Sequence, residues 1–295
     1  MKLCPVCSEP VNAPDWACGR CGHRPPSAGG VLLLAPQAAY SGGAYPAAAF
    51  AKIAALEERN YWFRSRNRLI VWALRRHFPR LSSYLEVGCG TGCVLRAVEA
   101  AFPAASALGS EIHVAGLERA AERIRRARLV QMDAARIPFR DEFDVIGCFD
   151  VLEHIPDDAA VLAQCHLAVR RGGGLVLTVP QHPSLWSAAD EYARHVRRYR
   201  RSEILARVAA AGFRPLRVTS FVSLLFPLMW ASRRRRRAVD ATYDPQAELD
   251  VGPVANIALG SILLFERMLI RLGARFPFGG SLLVVAQKAD VDPVQ

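Results

Sequence analysis

The sequence predicts an α/β protein built on a largely parallel sheet, and three observations carry that expectation. From Tyr84 onward short apolar segments alternate with helical ones, a glycine-rich turn follows the first of them, and acidic residues recur where the segments end. Such alternation places parallel strands in one sheet with helices on both faces. Of 295 residues, 52% are hydrophobic and 22% charged, which excludes a disordered chain and supplies a full-sized core.

The first element is a cysteine pattern. Cys4, Cys7, Cys18 and Cys21 form two C-x2-C pairs. Each pair puts two thiolates on one tight turn, and four soft sulfur ligands suit one tetrahedral, structural Zn2+. A disulfide clip or a redox pair is the alternative. His23 is expected beside the site, with replacement of one thiolate as its alternative role. Cys89, Cys93, Cys148 and Cys165 lack metal spacing and read as core or loop thiols. This zinc ribbon spans 1–35, with Val31–Leu34 as its final strand. Residues 36–80 are then a linker rich in Pro, Gly, Ala and Ser and N-terminal helices, the helical pattern running from Phe50 to about Phe78, carrying Tyr61, Trp62 and Phe63 and stopping at Pro79.

Strands are expected at Tyr84–Val87, Ala105–Gly109, Arg128–Gln131, Phe143–Cys148, Gly174–Val179, Pro215–Phe221 and Ser281–Ala286. Helices are expected near 92–102, 115–127, 157–170 and 202–211. The core thus covers 81–221, and 281–295 form the last strand and tail. Between them, 222–280 breaks the rhythm with an apolar stretch, the run Arg233–Arg237 and a helix near 254–272. On that helix Asn256, Gly260, Arg267 and Arg271 share one stripe, and apolar residues cover the rest. A helix this apolar packs deeply or lies against a partner or a membrane surface.

Charge is unevenly placed. Residues 190–240 hold 13 Arg against four acids, most of the net charge of +11, and only Lys2, Lys52 and Lys288 are lysines. Clustering of this kind implies an anionic partner such as phosphate, RNA or a lipid surface. No apolar run reaches the ~20 residues of a membrane span, and no apolar signal region follows Met1-Lys2. The expected location is cytoplasmic, with peripheral contact to the inner membrane through 222–280.

The chemistry centres on Glu86-Val87-Gly88-Cys89-Gly90-Thr91-Gly92, where a buried strand ends in an acid and glycines open a helix. The dinucleotide spacing G-x-G-x-x-G is not met, and Glu86 disfavours a pyrophosphate; a carboxylate there suits a cationic group such as an amino acid's amine. Glu111, 21 residues after Gly90, is placed to accept both hydroxyls of a ribose. Asp133 is placed to accept from an adenine amine. Glu86, Glu111, Asp133 and Asp150 all fall at carboxyl ends of parallel strands, the edge where open α/β sheets bind ligands.

At these residues, with Asp133-Ala134 and Phe149-Asp150-Val151-Leu152-Glu153-His154, the chain resembles class I S-adenosylmethionine-dependent methyltransferases, and among them the broad type 11 and type 23 bacterial enzymes. The resemblance implies a Rossmann-like seven-stranded sheet in the order 3-2-1-4-5-7-6 with an antiparallel last strand. It implies that Glu86, Gly88, Cys89, Gly90 and Gly92 hold the methionine part of S-adenosyl-L-methionine, Glu111 and Ile112 the ribose, and Asp133 and Ala134 the adenine, with Phe149 near the adenine or the sulfonium.

In-line methyl transfer needs orientation and exclusion of water, and needs a base only when the acceptor loses a proton. The candidates are Asp150, His154 and His195, with His182 behind them. His195 stands in Asp190-Glu191-Tyr192-Ala193-Arg194-His195-Val196-Arg197-Arg198-Tyr199, a segment that either binds the acceptor or ties its loop down. An acceptor platform at 222–280 points to a small-molecule or lipid-type acceptor, such as an isoprenoid amphiphile. An rRNA or tRNA methyltransferase is the second reading, lowered because no Asn-Pro-Pro-Tyr-type motif follows the fourth strand. A non-catalytic zinc-ribbon adaptor is the third.

Overall fold

The computed structural model describes residues 1–39, 47–235 and 250–289. Its strands are β1 (Ser27–Ala28), β2 (Val31–Leu33), β3 (Ser83–Val87), β4 (Ser106–Glu111), β5 (Arg128–Gln131), β6 (Phe143–Phe149), β7 (Val169–Pro180), β8 (Phe213–Phe221) and β9 (Ser281–Lys288). All nine join one sheet in the order β1-β2-β5-β4-β3-β6-β7-β9-β8. Counted from β3, the last seven follow 3-2-1-4-5-7-6, and β9 runs antiparallel to both of its neighbours. β3 and β6 are almost wholly buried and lie at the centre of that sheet, so their apolar residues face helices on both sides.

Two strands exceed the family count, and both come from the N-terminal segment. β1 and β2 form a hairpin, and β2 then pairs in parallel with β5 through Leu32↔Val130 and Leu33↔Gln131. The Gln131 side chain continues the zip: it accepts from Ala35 N at 3.0 Å and donates to Ala35 O and Ile112 O at 2.9 and 3.1 Å. The cysteine-bearing turns dock beside it. Leu3 N donates to Pro138 O at 2.9 Å, and Trp16 stands edge-on to Phe139 with ring centroids 5.4 Å apart. Residues 31–35 therefore belong to the sheet edge as much as to the ribbon.

The helical stretch expected over 50–78 holds two helices. α1 (Ala47–Glu57) and α2 (Tyr61–His77) meet at Asn60, whose side chain caps α2 by accepting from Trp62 N at 2.8 Å. The remaining helices are α3 (Cys93–Ala101), α4 (Val114–Arg123), α5 (Asp158–Ala168), α6 (Ala188–Tyr192), α7 (Arg201–Ala210), α8 (Phe226–Arg235) and α9 (Pro253–Arg271). One apolar layer joins α2, α3 and α9 to the sheet; the other joins α5, α7 and the N-terminal turns.

α8 and α9 form the described part of the insertion; Arg236 and Arg237 lie outside the described residues. A buried carboxylate clamps α9 to the end of β8: Glu266 accepts from Val222, Ser223 and Leu224 N at 2.7, 2.7 and 2.8 Å. The clamp holds Val222 at φ +58°, costly for a β-branched residue. The polar stripe of α9 faces inward at Asn256 and Arg267, while Arg271 at its end is exposed. Asn256 accepts from Tyr61 N at 2.8 Å and donates to Arg59 O at 3.0 Å, and Arg267 is buried near Ser65. Leu263 and Ile270 supply deep apolar burial, but most of the other large apolar residues of this helix face outward. By length and composition α9 also suffices to cross a membrane, against the expectation of no such run.

Candidate functional site

The carboxyl ends of β3, β4, β5 and β6 converge on the glycine turn. Gly88 has φ +67°, and a Cβ there would lie 2.4 Å from a Val151 methyl, so both conformation and packing require glycine. Gly90, at φ +50°, has open space where a Cβ would stand, and its N–H donates to Glu111 Oε2 at 3.1 Å. Glu111 Oε1 accepts from Ile112 and His113 N at 2.8 and 3.1 Å. One carboxylate thus shapes both loop ends while bordering the open turn.

Glu86 is buried and accepts from the Tyr84 hydroxyl at 3.0 Å. Burial pushes its carboxyl up to about 8, against the Tyr84 hydrogen bond, the nearby Arg66 charge and a hydrogen bond from the Leu95 backbone. A carboxyl so weakly compensated fits a cationic group brought to the strand tip. Asp133 is half-buried and accepts from Ala135 N at 2.9 Å, with Ala134 beside it. Cys89 turns its thiol inward toward Gly109 and Leu95, so only its backbone faces the turn. The Phe149 ring folds back over Gly147 toward Tyr84 within the core.

Two helices cover this edge. Glu57 of α1 bonds the Thr91 hydroxyl and pairs with Arg123 of α4, tying α1 to the glycine turn. Arg66 of α2 pairs with Asp150 and lies 4.8 Å from the Trp62 ring centroid. Asp150 holds φ +55°, a strained conformation for a non-glycine residue at a ligand-facing tip.

A second cluster lies beyond Asp150. Ligand atoms of Glu153, His154 and His195 lie within 4.8 Å of one another, and the two imidazoles meet edge-on with centroids 4.7 Å apart. Burial, with His195 beside it, lowers His154 to about 4, so this imidazole is neutral at pH 7. Glu153 Oε2 is buried without a hydrogen-bond partner, and burial with the Asp150 charge raises its carboxyl well above the ordinary range. His195 Nδ1 stands 2.9 Å from Asp190 Oδ1. Arg198 Nε meets the same oxygen at 2.7 Å, and Arg233 of α8 meets Asp190 Oδ2 at 3.2 Å.

The segment around His195 therefore splits its duties. Arg198 and Tyr199 lock the loop, through Gln181 O and Asp158, while His195 faces His154. His182 sits apart, against Phe226 of α8. Arg233 is likewise no solvated charge, since it also donates to Leu185 O at 3.0 Å. Sequence reasoning gives no role of their own to Asp190, Arg198, Arg66 or Glu57. Asp190 and Arg198 enter it as charges and as members of the segment around His195; the spacing of five between Asp190 and His195 is the signal that marks the pair.

In the four thiols near the N-terminus, Cys4 Sγ lies 3.6 Å from Cys21 Sγ and Cys7 Sγ 3.6 Å from Cys18 Sγ. All four sulfurs are within 4.8 Å of one another. Such separations are too long for disulfides, and are close to the ~3.8 Å edge of a tetrahedron with Zn–S of ~2.3 Å. Backbone N–H groups of Cys21 and Arg20 draw the Cys18 thiol down to about 6, which favours a thiolate ligand.

The sheet order and the acid-rimmed glycine turn define a class I S-adenosylmethionine-dependent methyltransferase. The pattern of the methyltransferase domain family matches residues 55–218, more than half of the chain, and the chain belongs to that family. A ubiquinone biosynthesis O-methyltransferase of Azotobacter vinelandii is 35% identical over 112 residues, 36% of this chain and 47% of that protein. A protein of Mycolicibacterium smegmatis described as a probable S-adenosylmethionine-dependent methyltransferase is 27% identical, over 55% of this chain and 62% of its own. The chain thus spans about half to three-fifths of these relatives. An O-methyltransferase family protein of Burkholderia thailandensis shares the fold with a TM-score of 0.52 at 13% identity, over 78% of this chain and 57% of its own. Phosphoethanolamine N-methyltransferase 2 of Haemonchus contortus, solved with S-adenosyl-L-methionine, gives 0.50 at 18% identity, over 75% and 52%.

Proposed function

We propose that this methyltransferase acts on an ionisable O–H or N–H group of a small amphiphilic molecule, and that His195 takes the proton. When bound, S-adenosyl-L-methionine supplies an activated methyl group, transferred in line. Around it, Glu86 would hold the amino group, the Gly88–Gly92 backbone the methionine part, Glu111 and Ile112 the ribose, and Asp133 and Ala134 the adenine. Cys4, Cys7, Cys18 and Cys21 would hold one structural Zn2+.

The observation that carries the acceptor reading is the His195–Asp190 pair and its tie to α8. With Nδ1–H given to Asp190, the lone pair of His195 stands on Nε2, the arrangement of a positioned general base. Against its burial, the His195 hydrogen bond, then Arg198 and Arg233, hold Asp190 well below the ordinary carboxylate range, so it stays ionised and orients the ring. Because Arg233 comes from the insertion, the acceptor platform and the base are mechanically joined. The O-methyltransferase relative agrees with an oxygen acceptor.

Incubating the full chain with methyl-labelled cofactor and whole-cell extract tests the reading. Label is expected in the solvent-extractable fraction, and His195→Ala should lower its incorporation roughly 100-fold or more at unchanged cofactor affinity. Label confined to RNA, or full turnover by the variant, would overturn it.

A further inference from the structure

The outward face of α9 is apolar along its whole length. Val254, Ile257, Leu264, Phe265, Met268 and Leu272 recur at helical spacing, and Val254, Ile257 and Leu272 are 81%, 70% and 84% exposed. The one polar side chain in that strip is Ser261, and its hydroxyl is turned back to Ile257 O at 2.9 Å. Monomers rarely expose so continuous a strip, and it demands a cover.

Among the described residues of α2, α8 and α9 the exposed charge has one sign, with the exposed Asp250 preceding α9. Across α2, α8 and α9 the only acid is Glu266, buried under three backbone N–H groups. Arg68 of α2 and Arg271 of α9, both exposed, flank buried Arg267 along one edge of the strip, and exposed Arg275 follows at its end. α9 is nonetheless held to the body by Asn256, Glu266 and Arg267, so its polar side stays in protein. A helix with an apolar outer face, an arginine edge and a polar inner face fixed to a domain matches an interfacial helix lying in the plane of a bilayer.

We propose that α9 is a monotopic docking surface for a bilayer containing anionic phospholipid, with the Val254–Leu272 strip immersed at the headgroup boundary and Arg68, Arg271 and Arg275 on lipid phosphates. This assignment differs from a contact made by the whole Arg233–Arg237 run, since Arg233 is committed to Asp190. It is also independent of the acceptor's identity, because the surface is built without His195 or the strand tips.

The test is flotation of the full chain with vesicles of phosphatidylcholine alone and of phosphatidylcholine with phosphatidylglycerol. The parent should bind the anionic vesicles, and added salt should weaken binding. Phe265→Glu with Met268→Glu should abolish binding to both vesicle types. Arg68→Gln, Arg271→Gln and Arg275→Gln should each weaken binding to anionic vesicles by roughly fivefold and leave the neutral ones unchanged. Melting temperature and cofactor affinity, measured on each variant, confirm that the fold persists. A parent that does not float, or a Phe265→Glu/Met268→Glu variant that floats like the parent, overturns the proposal. So does a parent that is a stable dimer in light scattering and becomes monomeric in that variant, which would give the strip to a second copy. Methyl incorporation into a soluble acceptor reads the His195 proposal separately.

Discussion

Two segments lie outside the methyltransferase core, and they attach in opposite ways. The N-terminal segment is woven in: its strand β2 lengthens the sheet, Trp16 packs on Phe139, and its cysteines share an apolar layer with β3 and β6. The insertion is docked by Leu263 and Ile270 in the core together with polar groups, chiefly Glu266 and Asn256, and turns a second apolar side away from the protein. An addition whose apolar residues are buried becomes part of the domain, whereas one that also carries an exposed apolar face keeps that face for something else. The first therefore bears on the edge proposed for the cofactor, through Gln131 and Ile112, and the second on the edge proposed for the acceptor, through Arg233 and Asp190.

The largest effect expected from this contrast is on the ribbon side. Trp16 is 6% exposed, and Trp16→Ala should cost about 3 to 5 kcal/mol in chemical denaturation. Because Trp16 shares its apolar cluster with Leu34, and Leu34 and Ala35 bond Gln131, cofactor affinity should fall as well. Zinc removal by a chelator should have the same direction of effect on both readouts. An N-terminal segment that is merely appended would leave calorimetric cofactor affinity untouched, and that result would end the idea of a woven edge.

Next comes the insertion. Glu266→Ala strips three buried backbone N–H groups of their acceptor, at about 1 to 3 kcal/mol. Hydrogen exchange should show faster exchange confined to 222–230 and α9, with cofactor affinity preserved. Faster exchange across the central strands would mean that the insertion is as integral as the ribbon, and the contrast would fail.

How much of this was legible depended on which interactions set each feature. Strand-tip acids and the glycine turn are local: Glu86, Gly88 and Glu111 announce themselves because one strand and one turn suffice to place them. The inward-facing stripe of α9 could be seen as a pattern, yet not as to which way it faced, since Tyr61 and Val222 decide that from far away in the chain. The ribbon's union with β5 was hidden for the same reason: Leu33 meets Gln131 across nearly a hundred residues. The break at Asn60 was locally readable as a helix-capping residue, but the apolar run on both sides masked it.

On the cofactor edge, Glu111→Ala should lower affinity roughly tenfold or more, since hydrogen bonds to a charged acceptor contribute about 1.5 to 3 kcal/mol. Part of that loss would come from the freed N–H groups of Gly90 and Ile112. Unchanged affinity in calorimetry would place the ribose elsewhere and remove the link by which the ribbon reaches the cofactor.

The smallest expected effect is a pH dependence that separates Glu86 from Glu111. Burial holds the Glu86 carboxyl at about 8 in the ligand-free protein, so at pH 7 it is mostly protonated. A cationic amino group at the strand tip favours the carboxylate and lowers that value, so binding releases a proton at neutral pH. The sign follows: affinity should rise from pH 6 to 7.5, with a slope approaching tenfold per pH unit, and level off near 8. For folding the sign is opposite, because a carboxyl raised above its unfolded value makes the native state bind the extra proton. Its contribution to stability therefore declines as pH rises from about 4.5 through 8. Calorimetry in two buffers of different ionisation enthalpy reads the released proton directly, and Glu86→Gln should abolish both the release and the slope. A parent whose affinity is flat over this range would show that the amino group is not held by Glu86, and would leave that buried carboxyl a structural partner of Tyr84 alone.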